Sequence, residues 1–287
     1  GKQQIGARMS GDVFVLLTPY EDKDGLLSVV SELQRCLKNF RQYSYEFVFG
    51  IYLIEDRNIS VRTMCDCAAM ARQSIKKNAL ESVAFYNKNM QKAIKERKFV
   101  ESHMKKALDN NEFIIYLQPK FSISSGEAIG YEALVRWQSP EKGMIYPDGF
   151  IPLFEENGFI TKLDAYVWEC ACMVLRDWID RHFTPLPISV NVSRANLDDE
   201  SFLDVLDGLI DKYRLPKHLL ELEITESIEN DATLRMTEKI KEHGFVLLMD
   251  DFGSGYSSLN TLQDTRFDVL KLDREFFSTH MSNDRGK

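Results

Sequence analysis

From Phe113 onward the chain repeats one pattern: a short, nearly continuous apolar stretch, a polar or acidic residue where it ends, then a longer segment of helical periodicity. The short stretches are Phe113 to Leu117, Ala128 to Val135, Ile188 to Val192, Leu219 to Thr225, Phe245 to Met249 and Val269 to Leu272. Apolar strands alternating with helices predict a parallel sheet buried on both sides. An open doubly wound sheet and a closed barrel both satisfy this pattern. The GxGxxG fingerprint follows none of the strands, which weighs against the dinucleotide-binding form of the open sheet.

The residues before Phe113 read differently. An apolar run at Val13 to Leu17, a helical pattern from Leu26 to Phe40, a strand-like Tyr45 to Ile54, a second helical pattern from Thr63 to Lys77 and a short strand at Val83 to Tyr86 predict a small α/β unit. A charged, mostly helical connector follows, from about Asn87 to Asn110. With 44% hydrophobic residues in 287, the chain can bury a substantial core. Its net charge of -8 argues against binding long nucleic acid, which relies on a basic face. A small phosphate ligand stays compatible, because carboxylates can hold divalent cations that invert the local sign. The cysteines, Cys36, Cys65, Cys67, Cys170 and Cys172, lack paired Cys-x-x-Cys spacing, so neither a structural zinc nor a disulfide framework is expected. Cys170 and Cys172 sit in a helical pattern and read as reduced core thiols. No apolar run approaches the ~18 residues of a membrane span, and no signal peptide is recognisable, so a soluble cytoplasmic chain is expected.

The strand ends carry the chemistry. Glu132 lies in GYEALVRW, Asn191 in ISVNVS, Glu223 and Glu226 in LLELEITES, Asp250 and Asp251 in LLMDDFGSGYSSL, and Lys271 and Asp273 in VLKLDREF. Taken singly, Glu132, Glu223 or Asp273 reads as an ordinary strand-end carboxylate, Asn191 as a turn residue, Lys271 as a snorkelling side chain, and Asp250-Asp251 as a cap. Their recurrence in step with the strands is the signal, since a barrel gathers strand C-terminal ends around one mouth. Carboxylates beside apolar strands must be neutralised, paired or coordinated. Oxygen donors with one amide among them suit magnesium or manganese. Adjacent aspartates can bridge two metals, as in attack on a phosphodiester.

These motifs together resemble the EAL family, whose members hydrolyse cyclic di-GMP (c-di-GMP): Glu132-Ala133-Leu134, SVNVS, LELEITES, DDFGSGYSSL and LKLD follow in order over residues 111 to 277. The resemblance implies a TIM-type (β/α)8 barrel and two Mg2+ or Mn2+ ions. Glu132, Asn191, Glu223 and Asp250 match the ligands of one metal, and Asp250 with Asp251 the pair serving the second. Lys271 matches the lysine near the nucleophilic water, Asp273 a supporting acid, and Glu226 a loop-holding glutamate. Gln118 and Arg136 match ligand contacts, and an arginine can grip a phosphate bidentately. The implied partners are c-di-GMP and a second copy of the domain. The family also continues beyond Lys287 with two further strands and a glutamate assigned as general base or metal partner, so a C-terminally incomplete barrel is expected.

The start resembles a second family. ARMSGDVFVLL is similar to the GGDEF segment of diguanylate cyclases, with Ser10 and Val13 replacing a glycine and a metal-binding acid. A hydrocarbon cannot coordinate a hard cation, so a degenerate partial α/β domain is expected. Gly1 and Gln4 stand where an inhibitory Arg-x-x-Asp site would fall. The expected organisation is a GGDEF-like part over 1–87, a connector over 88–110 and an EAL phosphodiesterase domain over 111–287. The expected function is metal-dependent hydrolysis of c-di-GMP to linear pGpG; the alternative is a c-di-GMP receptor with weak or no catalysis.

Overall fold

The computed structural model describes residues 4–38, 47–75, 82–225, 231–252 and 267–272. The chain forms two compact units, Gly1–Lys98 and Phe99–Lys287. The first opens with an antiparallel hairpin of β1 (Ile5–Ser10) and β2 (Val13–Leu17). Its turn passes through Gly11 at φ +50°, a left-handed conformation that glycine adopts without steric cost. Helix α1 (Lys23–Lys38) buries Leu26 and Val30. Strands β3 (Phe49–Ile51) and β4 (Val83–Phe85) pair in parallel, joined through α2 (Val61–Ile75). Ala71 and Ile75 of α2 meet Ala84 in a small core. A Cβ at Gly50 would collide with main-chain atoms of Ala68 and Arg72, so the approach of α2 to β3 depends on glycine there. The predicted strand over Tyr45 to Ile54 narrows to β3, its first two residues lying outside the described ones, and β1 is a strand the pattern does not predict.

Helix α3 (Lys88–Asp109) occupies the span expected of the connector, and the division between the units falls within it. In the second unit, β5 (Phe113–Phe121) and β6 (Ala128–Ser139) pair antiparallel, and β7 (Gly143–Ile145) adds antiparallel to the end of β6. The helices α4 (Ile151–Asn157) and α5 (Ile160–Asp180) lead to β8 (Ile188–Asn191). The short α6 (Arg194–Leu197) and α7 (Ser201–Tyr213) lead to β9 (Leu220–Thr225), α8 (Asp231–Glu242) to β10 (Val246–Phe252), and β11 (Val269–Leu272) closes the described part. The sheet order is β11-β10-β9-β8-β6-β5, parallel from β6 to β11.

The expected parallel sheet is therefore corrected at one edge. Only residues 122–127 separate β5 from β6. A parallel crossover needs about a dozen residues or more, so this pair can only be a hairpin. The expectation of burial on both sides holds at the centre of the sheet, where Ser189, Glu223 and Leu248 on the face away from the helices are as buried as the apolar residues behind them. Val190, Leu220, Leu222, Ile224, Leu247 and Met249 all face the helices and are almost fully buried, whereas the opposite face carries the charged residues.

Helix α5 shows why the covered face is stable. Its buried residues Ile160, Leu163, Val167, Trp168, Ala171, Cys172 and Leu175 recur at three- and four-residue spacing, giving one apolar stripe. Each large side chain buried there contributes about 1.5–3 kcal/mol of transfer free energy. Phe113, Trp137, Phe150 and Phe154 form an aromatic group at the start of the sheet, with Phe113 and Trp137 centroids 5.2 Å apart. All five cysteines are free thiols. Cys172 is buried and its pKa is pushed up to about 12 by that burial, while Cys170 is half-buried. Among the described residues no helix is long and apolar enough to cross a membrane.

Candidate active site

Side chains alternate along strands, so register decides which residues meet. Glu132 stands opposite Gln118 on β5 and beside Ser189 on β8; Asn191 pairs with Glu223, Glu223 with Leu248, and Asp250 with Thr225. Trp137, Ala133 and Phe113 point to the helices, which leaves Glu132, Asn191, Glu223 and Asp250 on the other face. A shift between Met249/Phe252 and Leu270/Leu272 marks a bulge at the β10–β11 pair. Bulges re-aim side chains, and this one spans Asp250 and Asp251.

Lys271 ties the strands together. Its Nζ donates to Glu132 Oε2 at 2.9 Å and to Glu223 Oε2 at 2.9 Å, and lies 3.1 Å from Asp250 Oδ1. Glu132, Glu223 and Asp250 each offer a carboxylate oxygen, and these all lie within 4.8 Å of one another. Glu223 is fully buried, and its Oε1 has no hydrogen-bond partner among the described residues. Burial pushes the Glu223 carboxyl above its usual range and the charge of Glu132 adds to this, while the Ser189 hydroxyl and the Lys271 ammonium pull the other way. Burial opposes the charge on Lys271, but its bonds to Glu223 and Glu132 outweigh that and hold its pKa above the usual lysine value. One ammonium among three carboxylates leaves two negative charges in a partly buried place. That deficit and the orphaned Glu223 oxygen match a divalent cation with hard oxygen ligands.

The other predicted residues are distributed as follows. Asn191 is exposed at the end of β8, on the same face as its register partner Glu223. Its carbonyl accepts a hydrogen bond from Trp168 Nε1 at 3.0 Å, which fastens that strand end to α5. Asp251 is exposed at φ +56°, and it is not one of the three clustered carboxylates. Gln118 is exposed on the carboxylate face. Arg136 lies two alternations beyond Glu132 on β6, its guanidinium 5.8 Å from the Tyr116 ring centroid and 5.6 Å from that of Tyr146. Glu226 and Asp273 lie outside the described residues.

Two polar groups escape the reading of the sequence. Lys120 donates to Glu221 Oε2 at 2.6 Å and to Ser189 Oγ at 3.2 Å, on the same face and one alternation below the carboxylates. Asp164 on α5 accepts from Ser193 N at 2.9 Å and Asn196 Nδ2 at 2.7 Å, securing the turn after Asn191. Burial pushes the Asp164 carboxyl up to about 6, with the bonds from Ser193 and Asn196 pulling the other way. The available signals were an acid within an apolar helical stripe, and a lysine and a glutamate within strand patterns; register alone reveals the partners.

Residues 101–287 match the EAL domain family. Over 293 residues the chain is 30% identical to the bifunctional diguanylate cyclase/cyclic di-GMP phosphodiesterase MucR of Pseudomonas aeruginosa, covering 98% of this chain and 43% of that protein. It is 31% identical over 281 residues to the cyclic di-GMP phosphodiesterase PdeR of Escherichia coli, covering 95% of this chain and 42% of that one. The chain thus spans less than half the length of either relative. The solved structure of the PaMucR phosphodiesterase in complex with c-di-GMP superposes with a TM-score of 0.59 at 32% identity, over 64% of this chain and 76% of that one. With Glu132 of Glu132-Ala133-Leu134, Glu223 of LELEITES and Asp250 of DDFG converging on Lys271 and the family match extending over the whole second unit but its first two residues, the chain belongs to the EAL domain family.

Proposed function

We propose that the second unit hydrolyses c-di-GMP to linear pGpG, with Glu132, Asn191, Glu223 and Asp250 holding one Mg2+ or Mn2+ and Asp250 with Asp251 serving a second. The observation that carries this reading is the convergence of Glu132, Glu223 and Asp250, with carboxylate oxygens within 4.8 Å of one another and outnumbering the ammonium of Lys271. The likeness to PdeR and MucR supports the substrate. When bound, such cations supply Lewis acidity and make water acidic enough to attack near neutral pH.

The chain's own residues divide the remaining work. Lys271, held protonated by its carboxylate partners, orients the attacking water and faces charge developing on the phosphoryl oxygens. Trp168 and Asp164 hold the backbone on either side of Val192, so that Asn191 is presented in one orientation. Gln118 and Arg136 contact the ligand, and Glu226 and Asp273 act as loop-holding and supporting acids.

The finer architecture belongs to the same reading: a TIM-type (β/α)8 barrel over 111–287, a connector over 88–110 and a degenerate GGDEF-like part over 1–87. The matches to MucR and PdeR extend over 95% or more of the chain, and MucR also bears the name of a diguanylate cyclase. Val13 at the start of β2 supplies no metal ligand, so conversion of GTP by this unit is not expected. A cytoplasmic homodimer formed through the EAL domain completes the picture. The test is to incubate the chain with c-di-GMP and Mg2+ or Mn2+ and follow the linear product by chromatography. Tight binding without product would assign it as a receptor, and neither binding nor product would overturn both readings.

A further inference from the structure

Three side chains beyond the carboxylates form a ridge across β5, β6 and the end of β7. Leu134 pairs with Tyr116, and Trp137 with Ile145, so Tyr116 and Tyr146 reach Arg136 from its two sides. Alternation confirms the facing: Ile115, Leu117, Val135 and Ile145 pack on the helix-side core, which places Tyr116, Arg136 and Tyr146 with Glu132 on the opposite face. Tyr116 is 52% exposed and Tyr146 63% exposed, an unusual outlay of aromatic surface around a cation. Arg136 Nη1 donates to its neighbour's carbonyl, Val135 O, at 2.7 Å, which fixes the guanidinium plane. Among the described residues that guanidinium meets the two rings and this carbonyl, and no carboxylate.

Arg136 lies four residues along β6 from Glu132, roughly 13 Å at about 3.3 Å per residue. A cyclic dinucleotide engaged at the carboxylates through one phosphate can bring a base to that distance. Aromatic faces and guanidinium planes are what unpaired bases stack on. We propose that Tyr116 and Tyr146, flanking Arg136, form a clamp for a guanine base of the substrate and set its selectivity for a purine-bearing ligand. This rests on the c-di-GMP reading above.

The test is calorimetric titration of the chain with c-di-GMP in calcium, alongside KM and kcat in magnesium, for wild type, Tyr116→Ala, Tyr146→Ala and Tyr146→Phe. Stacking predicts at least about a fivefold loss of affinity for each alanine variant. KM should rise while kcat is held, because a remote contact acts on ground and transition states alike. Tyr146→Phe should bind as wild type, since it keeps the ring. Alanine variants that bind as tightly as wild type, with product still formed, would overturn the clamp and leave the phosphodiesterase standing. Weakened binding without turnover by any form would do the reverse. Failure of wild type to bind c-di-GMP overturns the clamp, and metal-dependent cleavage of bis(p-nitrophenyl) phosphate would then show that the phosphodiester chemistry survives without it.

Discussion

Two lysines, Lys120 on β5 and Lys271 on β11, reach glutamates one alternation apart on β9, Glu221 and Glu223, and they live in opposite circumstances. Lys120 meets one carboxylate, Glu221, and a neutral hydroxyl, Ser189, so its charge is balanced. Lys271 meets Glu132, Glu223 and Asp250 and leaves negative charge over. Both are lysines held by glutamate, and what differs is how many carboxylates each one meets. A balanced pair is a strut between strands, whereas an unbalanced one is poised to accept a cation.

The largest effect should come from removing a ligand of the unbalanced group. Glu132→Ala is expected to lower metal-supported hydrolysis by about a thousandfold or more with the circular dichroism spectrum retained. Turnover near wild type would refute its assignment as a ligand.

A carboxyl with no cation at all offers the next contrast. Asp164 has its pKa raised from 3.8 to about 6 in the folded chain, so the folded state binds its proton more tightly than the unfolded state. Stability from this group is full below pH ~4, declines as pH rises toward ~6, and is level above, a loss of roughly 3 kcal/mol. Asp164→Asn should remove that decline in urea unfolding at stepped pH. An unchanged pH profile would show that Asp164 is not the group responsible.

Breaking the balanced pair should cost less. Lys120→Met leaves Glu221 without its cation, and because both side chains keep some solvent access the expected loss is roughly 2 kcal/mol, below the ~3–5 kcal/mol of a fully buried pair. Cation affinity, measured by calorimetry, should stay within about threefold of wild type. A collapse of cation affinity would dissolve the distinction between strut and site.

The smallest effect separates one cation from another. Calcium in place of magnesium should reduce turnover at least about tenfold, because its larger and looser shell fits a compact group poorly. Full activity in calcium would count against the proposed chemistry.

The sequence carried the strands and their terminal acids because both are local: apolar runs mark β8 to β11, and an acid after such a run is conspicuous. It did not carry β7, whose three residues are too few for a period to register, nor the reversed direction of β5. Register was equally hidden. Lys120 and Glu221 are 101 residues apart, and nothing near either marks the other as its partner. Tyr116 and Tyr146 carry no local signal of a shared site, and only the β5–β6 and β6–β7 pairings bring them to Arg136.

The span between Lys271 and Glu132, 139 residues, has a consequence for how the molecule is made. At the ~5–20 residues per second of ribosomal synthesis, roughly 7–30 seconds separate the two side chains at birth. Throughout that interval Glu132, joined by Glu223 for the last 48 residues, must stay in water, since burying them without Lys271 would strand their charge. The face of the sheet that carries them therefore closes last, and the carboxylate group comes into being as a late product of translation, after the helix-covered face has already packed.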